Sequence, residues 1–396
     1  MRRERSIGEG ARESAAGAAG GAVLLLSMRK LARLVAYCTL YEFEDVVAQV
    51  TNAERIDVSG EARLELARRT YKLLRYTTCS RALARWTSSR LFTQRLTRDY
   101  ELFFPIFNHP HELFALQTVP DWRERSRICA CFVSEVWAHL LPQYLLELLG
   151  CFDHVFTRMQ HCVDDVQRII GTPCSYLPSA VDVLRFLPLP NPPDRAIDIC
   201  NIGRRSPSTH AALIELARAR RLCYYYDTFA EGAVSERHQR TFRVHDPQEH
   251  RLLLANVLQR SRYYIANRSR VNQPYFTGAH QEISYRFYEG AAAGTVMLGV
   301  APESAGFREQ FDWPDAVIPV PFDCPEIGQI IARLDRDPQQ LARIGWRNAA
   351  QAARRHDWVH RLAQVFAALG LPKTEAMLER ERRLHSLAQS NRYAAA

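Results

Sequence analysis

From residue 191 onward, short apolar runs rich in β-branched and aromatic residues alternate with amphipathic helical runs, and this limits the fold more than any other feature. "RAIDICNIG" supplies a strand over about 196–202, "RRSPST" a loop, "HAALIELARARR" a helix and "LCYYYD" a second strand. Asp246-Pro247-Gln248-Glu249 has the form of a capping box with proline at the first helical position. It opens the helix "PQEHRLLLANVLQR", which leads to the strand "RYYIAN". A helix stopped by Gly294, the strand "TVMLGV" and the strand "AVIPV" follow. Such alternation builds a parallel sheet covered by helices on both faces. Ligands of these sheets sit beyond the carboxyl ends of the strands.

The first half alternates less cleanly. "YELFFPIF", "RICACFV", "DHVFTRM" and "CSYLP" read as strands, "AHLLPQYLLELLG" and "CVDDVQRIIG" as helices, and residues 41–100 as mainly helical. "RFLPLPNPPDR", with Pro188, Pro190, Pro192 and Pro193, reads as a stiff linker. The expected organisation is therefore a disordered leader over 1–27, a first domain over 28–190, a second over 191–370 and a terminal helix over 371–396. The leader "MRRERSIGEGARESAAGAAGGAVLLLS" is rich in Ala and Gly, and Met28 is a candidate alternative start.

Composition narrows the function classes. No run of eighteen apolar residues suggests a membrane span. The net charge of +9 favours anionic partners, but the arginines are scattered, which argues against a dedicated nucleic-acid surface. None of the ten cysteines forms a C-x-x-C pair, and most lie in apolar runs; reduced, buried thiols in a cytoplasmic protein are expected, with no metal site.

Five stretches carry candidate chemistry. In "NIGRRS", Gly203 follows a strand and lets the backbone approach a ligand, and Arg204 and Arg205 stand ahead of a helix N-terminus; this suits a diphosphate. An ordinary βα loop with solvated arginines is the plain alternative. In "EISYRFYEGAAAGTVMLG", Glu282, Arg286 and Glu289 share one helix face at i, i+4, i+7. They form either a salt-bridged surface or a site in which Arg286 meets an anion and Glu289 accepts two vicinal hydroxyls. "FNHPHELF" and "CFVSEVW" place His109, His111 and Glu135 just after strands, as possible acid, base or acceptor-binding groups. "LPSAVDVLRFLP" joins the halves, with Asp182 capping a turn and Phe186 packing at a hinge.

Taken together, these motifs resemble the two-domain GT-B glycosyltransferases, specifically the CgeB-like (spore-protein-like) group-1 branch. "RFYEGAAAGTVMLG" looks like the family's segment of a glutamate, small residues, a glycine and an apolar strand; "LPSAVDVLRFLP" is similar to its interdomain segment and "NIGRRS" to its Gly-Arg loop. The run "IPVPFDCPEIGQIIARLDRDPQQLARIGWRNAAQAA" to "HDW" is like its C-terminal helices, so the likeness spans about 150–370. The resemblance implies two Rossmann-like parallel-sheet domains facing a cleft, a helical C-terminus and transfer of a sugar from a nucleotide diphosphate sugar to a hydroxyl acceptor. It implies donor contacts from Gly203, Arg204, Arg205, Asn267, Ser269, Arg286, Glu289 and Gly290, with Glu289 on the ribose. His109, His111, Glu135 and Glu282 are the catalytic candidates. No cofactor or metal is expected; the acceptor is a glycan, lipid or protein, and peripheral contact with the inner face of a membrane fits the charge. The chain departs from the family in three places: Gln281 stands eight positions before Glu289, His210 stands near where a lysine usually follows the Gly-Arg loop, and "VAYCTLYEFEDVV" leaves no glycine-rich loop after a first strand. A non-catalytic sugar-nucleotide or glycan-binding protein is the rival reading.

Overall fold

The computed structural model describes residues 22–80, 83–84, 87, 95–137, 141, 143–188, 194–228, 243–278 and 280–390. Its first half is built on a parallel sheet of β1 (Val23–Ser27), β2 (Glu54–Asp57), β3 (Tyr100–Phe103), β4 (Ile106–Phe107), β5 (Ser126–Val133), β6 (His154–Thr157) and β7 (Cys174–Tyr176). The strand order is β2-β1-β3-β5-β6-β7, with β4 also paired to β5. The second half has β8 (Ile197–Asn201), β9 (Tyr224–Tyr226), β10 (Ser261–Ile265), β11 (Val296–Gly299) and β12 (Ile318–Pro319), in the order β12-β11-β10-β8-β9.

The first sheet corrects the expected leader in one respect. Val23–Ser27 is an interior strand, paired with β2 on one side and β3 on the other. Leu24 and Leu26 face one core while Val23 and Leu25 face another, so the strand is covered on both faces. An apolar run of this length after Ala and Gly does not distinguish a leader from a buried strand, because periodicity is lost when both faces are covered. Residues 1–21 lie outside the described residues. The mainly helical expectation for 41–100 likewise misses β2. "YELFFPIF" is interrupted between β3 and β4 at Pro105, which has no N–H to give a ladder. The expected linker runs past the described residues at 189–193, and with it the expected domain boundary.

The second half follows the expected alternation. Asp246 caps the helix Pro247–Gln259 by accepting from Gln248 N at 2.7 Å and Glu249 N at 3.0 Å. The small residues of Tyr285–Ala292 allow that helix to lie directly on the sheet. A Cβ on Gly290 would come within 2.7 Å of Met297 Sδ and 2.9 Å of Tyr264 Cδ1.

Behind the sheets the halves are tied by buried polar contacts. The helix Cys38–Thr51 packs on Pro247–Gln259 and on the C-terminal helix Glu375–Gln389. Glu42 accepts from Arg251 Nε at 2.8 Å, from the Asp182 amide at 2.7 Å and from Trp358 Nε1 at 3.2 Å, while Arg251 Nη1 reaches Glu289. Arg380 of the last helix bonds Asp182 at 2.6 Å and Asp357 at 2.8 Å. Phe186 is fully buried beneath the Arg251 guanidinium.

Candidate active site

In the second sheet the chain runs from β8 outward to β9 and then returns to β10 on the other side of β8. The carboxyl ends of β8 and β10 therefore flank a crevice where the winding reverses. The loop after β8 carries Gly203 and Arg204; the loop after β10 carries Arg270. Gly203 has φ 73°, and a Cβ there would lie 2.3 Å from Arg286 Nη2. The glycine thus makes room for the guanidinium that the first turn of Tyr285–Ala292 presents.

Arg204, Arg270 and Arg286 form a cationic group. Arg204 Nη1 donates to Gln273 Oε1 at 2.9 Å and Asn272 Oδ1 at 3.2 Å; Arg270 Nη1 donates to the same Gln273 oxygen at 3.2 Å. Burial, and then the charges of Arg270 and Arg286, push the Arg204 pKa down to about 10. Neither Arg204 nor Arg286 forms an ion pair with a carboxylate among the described residues. Arg270 holds φ 53°, a conformation uncommon for a residue with a Cβ and a frequent companion of functional sites.

The first half faces this group with the ends of β5 and β6. Glu135 takes Arg270 Nη2 at 3.1 Å and Arg158 Nη2 at 3.3 Å. Burial opposes its charge, but Arg158 and Arg270 outweigh that and hold its pKa below the usual carboxylate range. Arg158 also donates to Ser134 Oγ at 3.0 Å and to the Ile283 carbonyl at 3.2 Å, so one buried guanidinium bridges both halves. Beside it, His161 Nδ1 lies 2.6 Å from Glu282 Oε1, and the His161 ring stacks on His280 at 3.9 Å.

The structure gathers Gly203, Arg204, Arg286, Glu135 and Glu282 around one cleft. Other expected site residues stand elsewhere. Arg205 turns to an ion pair with Asp227 at the end of β9. The N-terminus of the helix Pro207–Arg218 is capped by Ser206, whose hydroxyl also meets Asp323 at 2.5 Å, so a carboxylate already sits where a phosphate was expected. Asn267 is buried with Oδ1 accepting the Val300 amide at 2.9 Å, and the Ser269 amide donates to the Glu282 carbonyl at 2.9 Å; both shape the loop. Gly290 is a packing position. Glu289, only 5% exposed, has one carboxylate oxygen held by Arg251. The physical reason is the buried Arg251 guanidinium, which the helix Pro247–Gln259 places to meet Glu289 and Glu42 together; Glu282 stands before the helix Tyr285–Ala292 rather than on its face. His109 and His111 stack at 4.6 Å after β4, and His109 Nδ1 accepts the His111 amide at 3.3 Å. The electrostatic influence of His109 reaches Glu135.

Arg158, His161, Arg270 and His280 were not anticipated. In a chain so rich in arginine, one more does not stand out. The signal was positional, since Arg158 directly follows β6 and Arg270 lies in the loop after β10. Among the described residues no group of three or more His, Cys, Asp or Glu is placed to hold a metal ion.

Residues 228–367 match the family model described as glycosyl transferase-like. The matched stretch carries Arg270, Glu282, Arg286 and Glu289. It supports a glycosyltransferase-like second half. No curated protein matches the chain in sequence. Among solved structures, Anabaena HepE in complex with UDP-glucose is similar at 13% identity, with 88% of this chain and 99% of that chain covered and a TM-score of 0.49. An alpha-glucosyltransferase in complex with UDP and a 13-mer DNA is similar at 9% identity, with 89% and 100% covered and a TM-score of 0.49. A putative UDP-N-acetylglucosamine 2-epimerase from Listeria monocytogenes is similar at 10% identity, with 90% and 99% covered and a TM-score of 0.43. At these values the likenesses say nothing of substrate. The molecule's own two facing parallel sheets, with a helical C-terminus returning to the first half, have the GT-B arrangement.

Proposed function

We propose that the cleft binds a nucleotide diphosphate sugar and transfers its sugar to a hydroxyl acceptor, as in the CgeB-like group-1 glycosyltransferases. The observation that carries this reading is the partly desolvated group of Arg204, Arg270 and Arg286 at the reversal point of the second sheet, two of its members lacking a carboxylate partner among the described residues. A diphosphate would supply the missing negative charge and receive charge-assisted hydrogen bonds. The arginines would also stabilise the negative charge that develops on the departing nucleotide diphosphate, the role a metal ion plays elsewhere. Tyr275, 81% exposed and within electrostatic reach of Arg204, offers an aromatic face to a base. Glu289 has one oxygen held by Arg251, so ribose contact falls to the other oxygen or requires Arg251 to be shared. Across the cleft, Glu135 and the His161–Glu282 pair are the groups placed to meet the acceptor.

One observation favours the rival reading of a non-catalytic nucleotide-sugar-binding protein: Glu135 is already held by two arginines and Glu282 by His161. Calorimetric titration with UDP and GDP, followed by a donor-hydrolysis assay, separates the readings. Saturable binding with slow donor hydrolysis supports a transferase. Binding without hydrolysis or transfer to any hydroxyl acceptor favours the rival, and absence of saturable binding to either nucleotide removes both.

A further inference from the structure

Glu135 carries a carboxylate of the first half into the arginine group of the second. Its place is fixed by the backbone. The Ser134 amide donates to the Phe107 carbonyl at 2.8 Å and the Glu135 amide to the Asn108 carbonyl at 2.7 Å, which continues the β4–β5 pairing past the strand ends. The side chain then divides its two oxygens. Oε1 accepts from Arg158 of the same half at 3.3 Å, and Oε2 accepts from Arg270 of the other half at 3.1 Å. The charge of Glu135 is also felt by Arg204. This pair differs from those behind the sheets. The side chains of Arg251 and Glu42 are 2% and 0% exposed, whereas those of Arg270 and Glu135 are 12% and 21% exposed. A fully buried pair cannot part without stranding a charge. A pair at the wall of a cleft can part if another ion arrives as one leaves. Arg158 remains to Glu135 as a cation, because it is buried and held separately by Ser134 Oγ and the Ile283 carbonyl.

We infer that Glu135 competes with the diphosphate for Arg270 and is displaced from it when the nucleotide binds. A diphosphate brings more charge and more acceptor oxygens than one carboxylate, so it can meet Arg204, Arg270 and Arg286 together. Glu135 then keeps Arg158 and has Oε2 free to accept from a hydroxyl. The inference rests on the proposed transferase reading and adds an order to it. The nucleotide sugar enters first, and its arrival readies the carboxylate that meets the acceptor. The exchange also releases one of the contacts that join the two walls of the cleft.

The test is calorimetric titration of the full chain with UDP, GDP and inorganic pyrophosphate. Glu135→Gln should bind them about fivefold more tightly than the parent. Its melting temperature should nevertheless fall, because Arg158 and Arg270 lose a counter-charge. A residue that only supports the fold would lose on both measures. Plain repulsion between Glu135 and the phosphates would also tighten binding on its removal, and a double-mutant cycle separates the two causes. In an Arg270→Gln background the gain from Glu135→Gln should shrink below about twofold, whereas repulsion would persist there. If Glu135→Gln does not fold, Glu135→Asp decides: it keeps a charge beside Arg158, draws it back from Arg270 by one methylene and should still tighten binding. The inference is overturned if the variant binds no more tightly than the parent, or if the gain survives without Arg270. Saturable binding of UDP or GDP to the parent would leave the transferase reading standing in either case. Pyrophosphate binding that tightens in Glu135→Gln, with no saturable nucleotide binding, would keep the exchange and remove the transferase reading. Failure of the parent and of the variant to bind any of the three probes overturns both.

Discussion

Two arginine groups in this molecule are built from the same residue types and differ in how their charge is met. Behind the sheets, Arg251 lies between Glu42 and Glu289, and Arg380 between Asp182 and Asp357. Burial opposes the charge of Arg251, but the two facing carboxylates outweigh it and raise its pKa. In the cleft, Arg204 and Arg286 have amide oxygens or a glycine backbone for neighbours, and burial with like charge lowers the pKa of Arg204. The first group has its counter-charges built in and holds the halves together. The second lacks them, which is the condition expected where a ligand brings the negative charge.

The comparison can be broken most sharply at Arg251. Arg251→Met leaves Glu42 and Glu289 buried without their cation, which costs about 3–5 kcal/mol. A fall in melting temperature of about 5 °C is the expected calorimetric result. Adding Glu42→Gln and Glu289→Gln should recover much of it, because neutral groups need no counter-charge. A single variant that loses under about 1 kcal/mol would erase the distinction between the groups.

The cleft should answer in the opposite way. Arg204→Gln and Arg286→Gln are each expected to weaken UDP or GDP binding by about tenfold, equivalent to roughly 1.4 kcal/mol. Their melting temperatures should hold or rise slightly, since each change relieves repulsion within the cluster. Unchanged nucleotide affinity in both variants would show that the group serves stability alone.

A smaller effect tests a carboxylate of the first half. Burial pushes the Glu44 pKa up to about 8, against the pull of Arg29 and the Ser27 hydroxyl. An unfolded glutamate titrates near 4.3, roughly. Between those values the folded state holds a proton that the unfolded state has released, so this group's contribution to stability falls as pH rises toward 8. Glu44→Gln, which stays neutral, should nearly match the parent at pH 5 and lose a few degrees less in melting temperature by pH 8. Parallel profiles for the two proteins would show that Glu44 is ionised throughout.

What could be read in advance followed local rules. The βαβ rhythm of the second half, the Asp246 cap and the glycine at 294 that stops its helix all rest on residues a few positions apart. β1 escaped because a strand covered on both faces has no alternation, and β2 because it is short, half-buried and set between long helices. The position of Arg204 was legible because the end of a parallel strand is a defined place in such a sheet. The same rule points to Arg158 and Arg270, but composition hid them.

The sequence alone therefore determined the sheet class, the layering of its second half and the loop that opens the cleft. Tertiary structure decided which charges meet. Glu289 and Arg286 share a helix, yet one is matched by Arg251, 38 positions away, and the other is left facing the cleft. Glu135 meets Arg270 across 135 positions and His161 meets Glu282 across 121. Local propensity acts over a turn or two of chain. The neutralisation of a buried charge depends on which distant segment packs within about 3 Å of it, and only the assembled fold sets that.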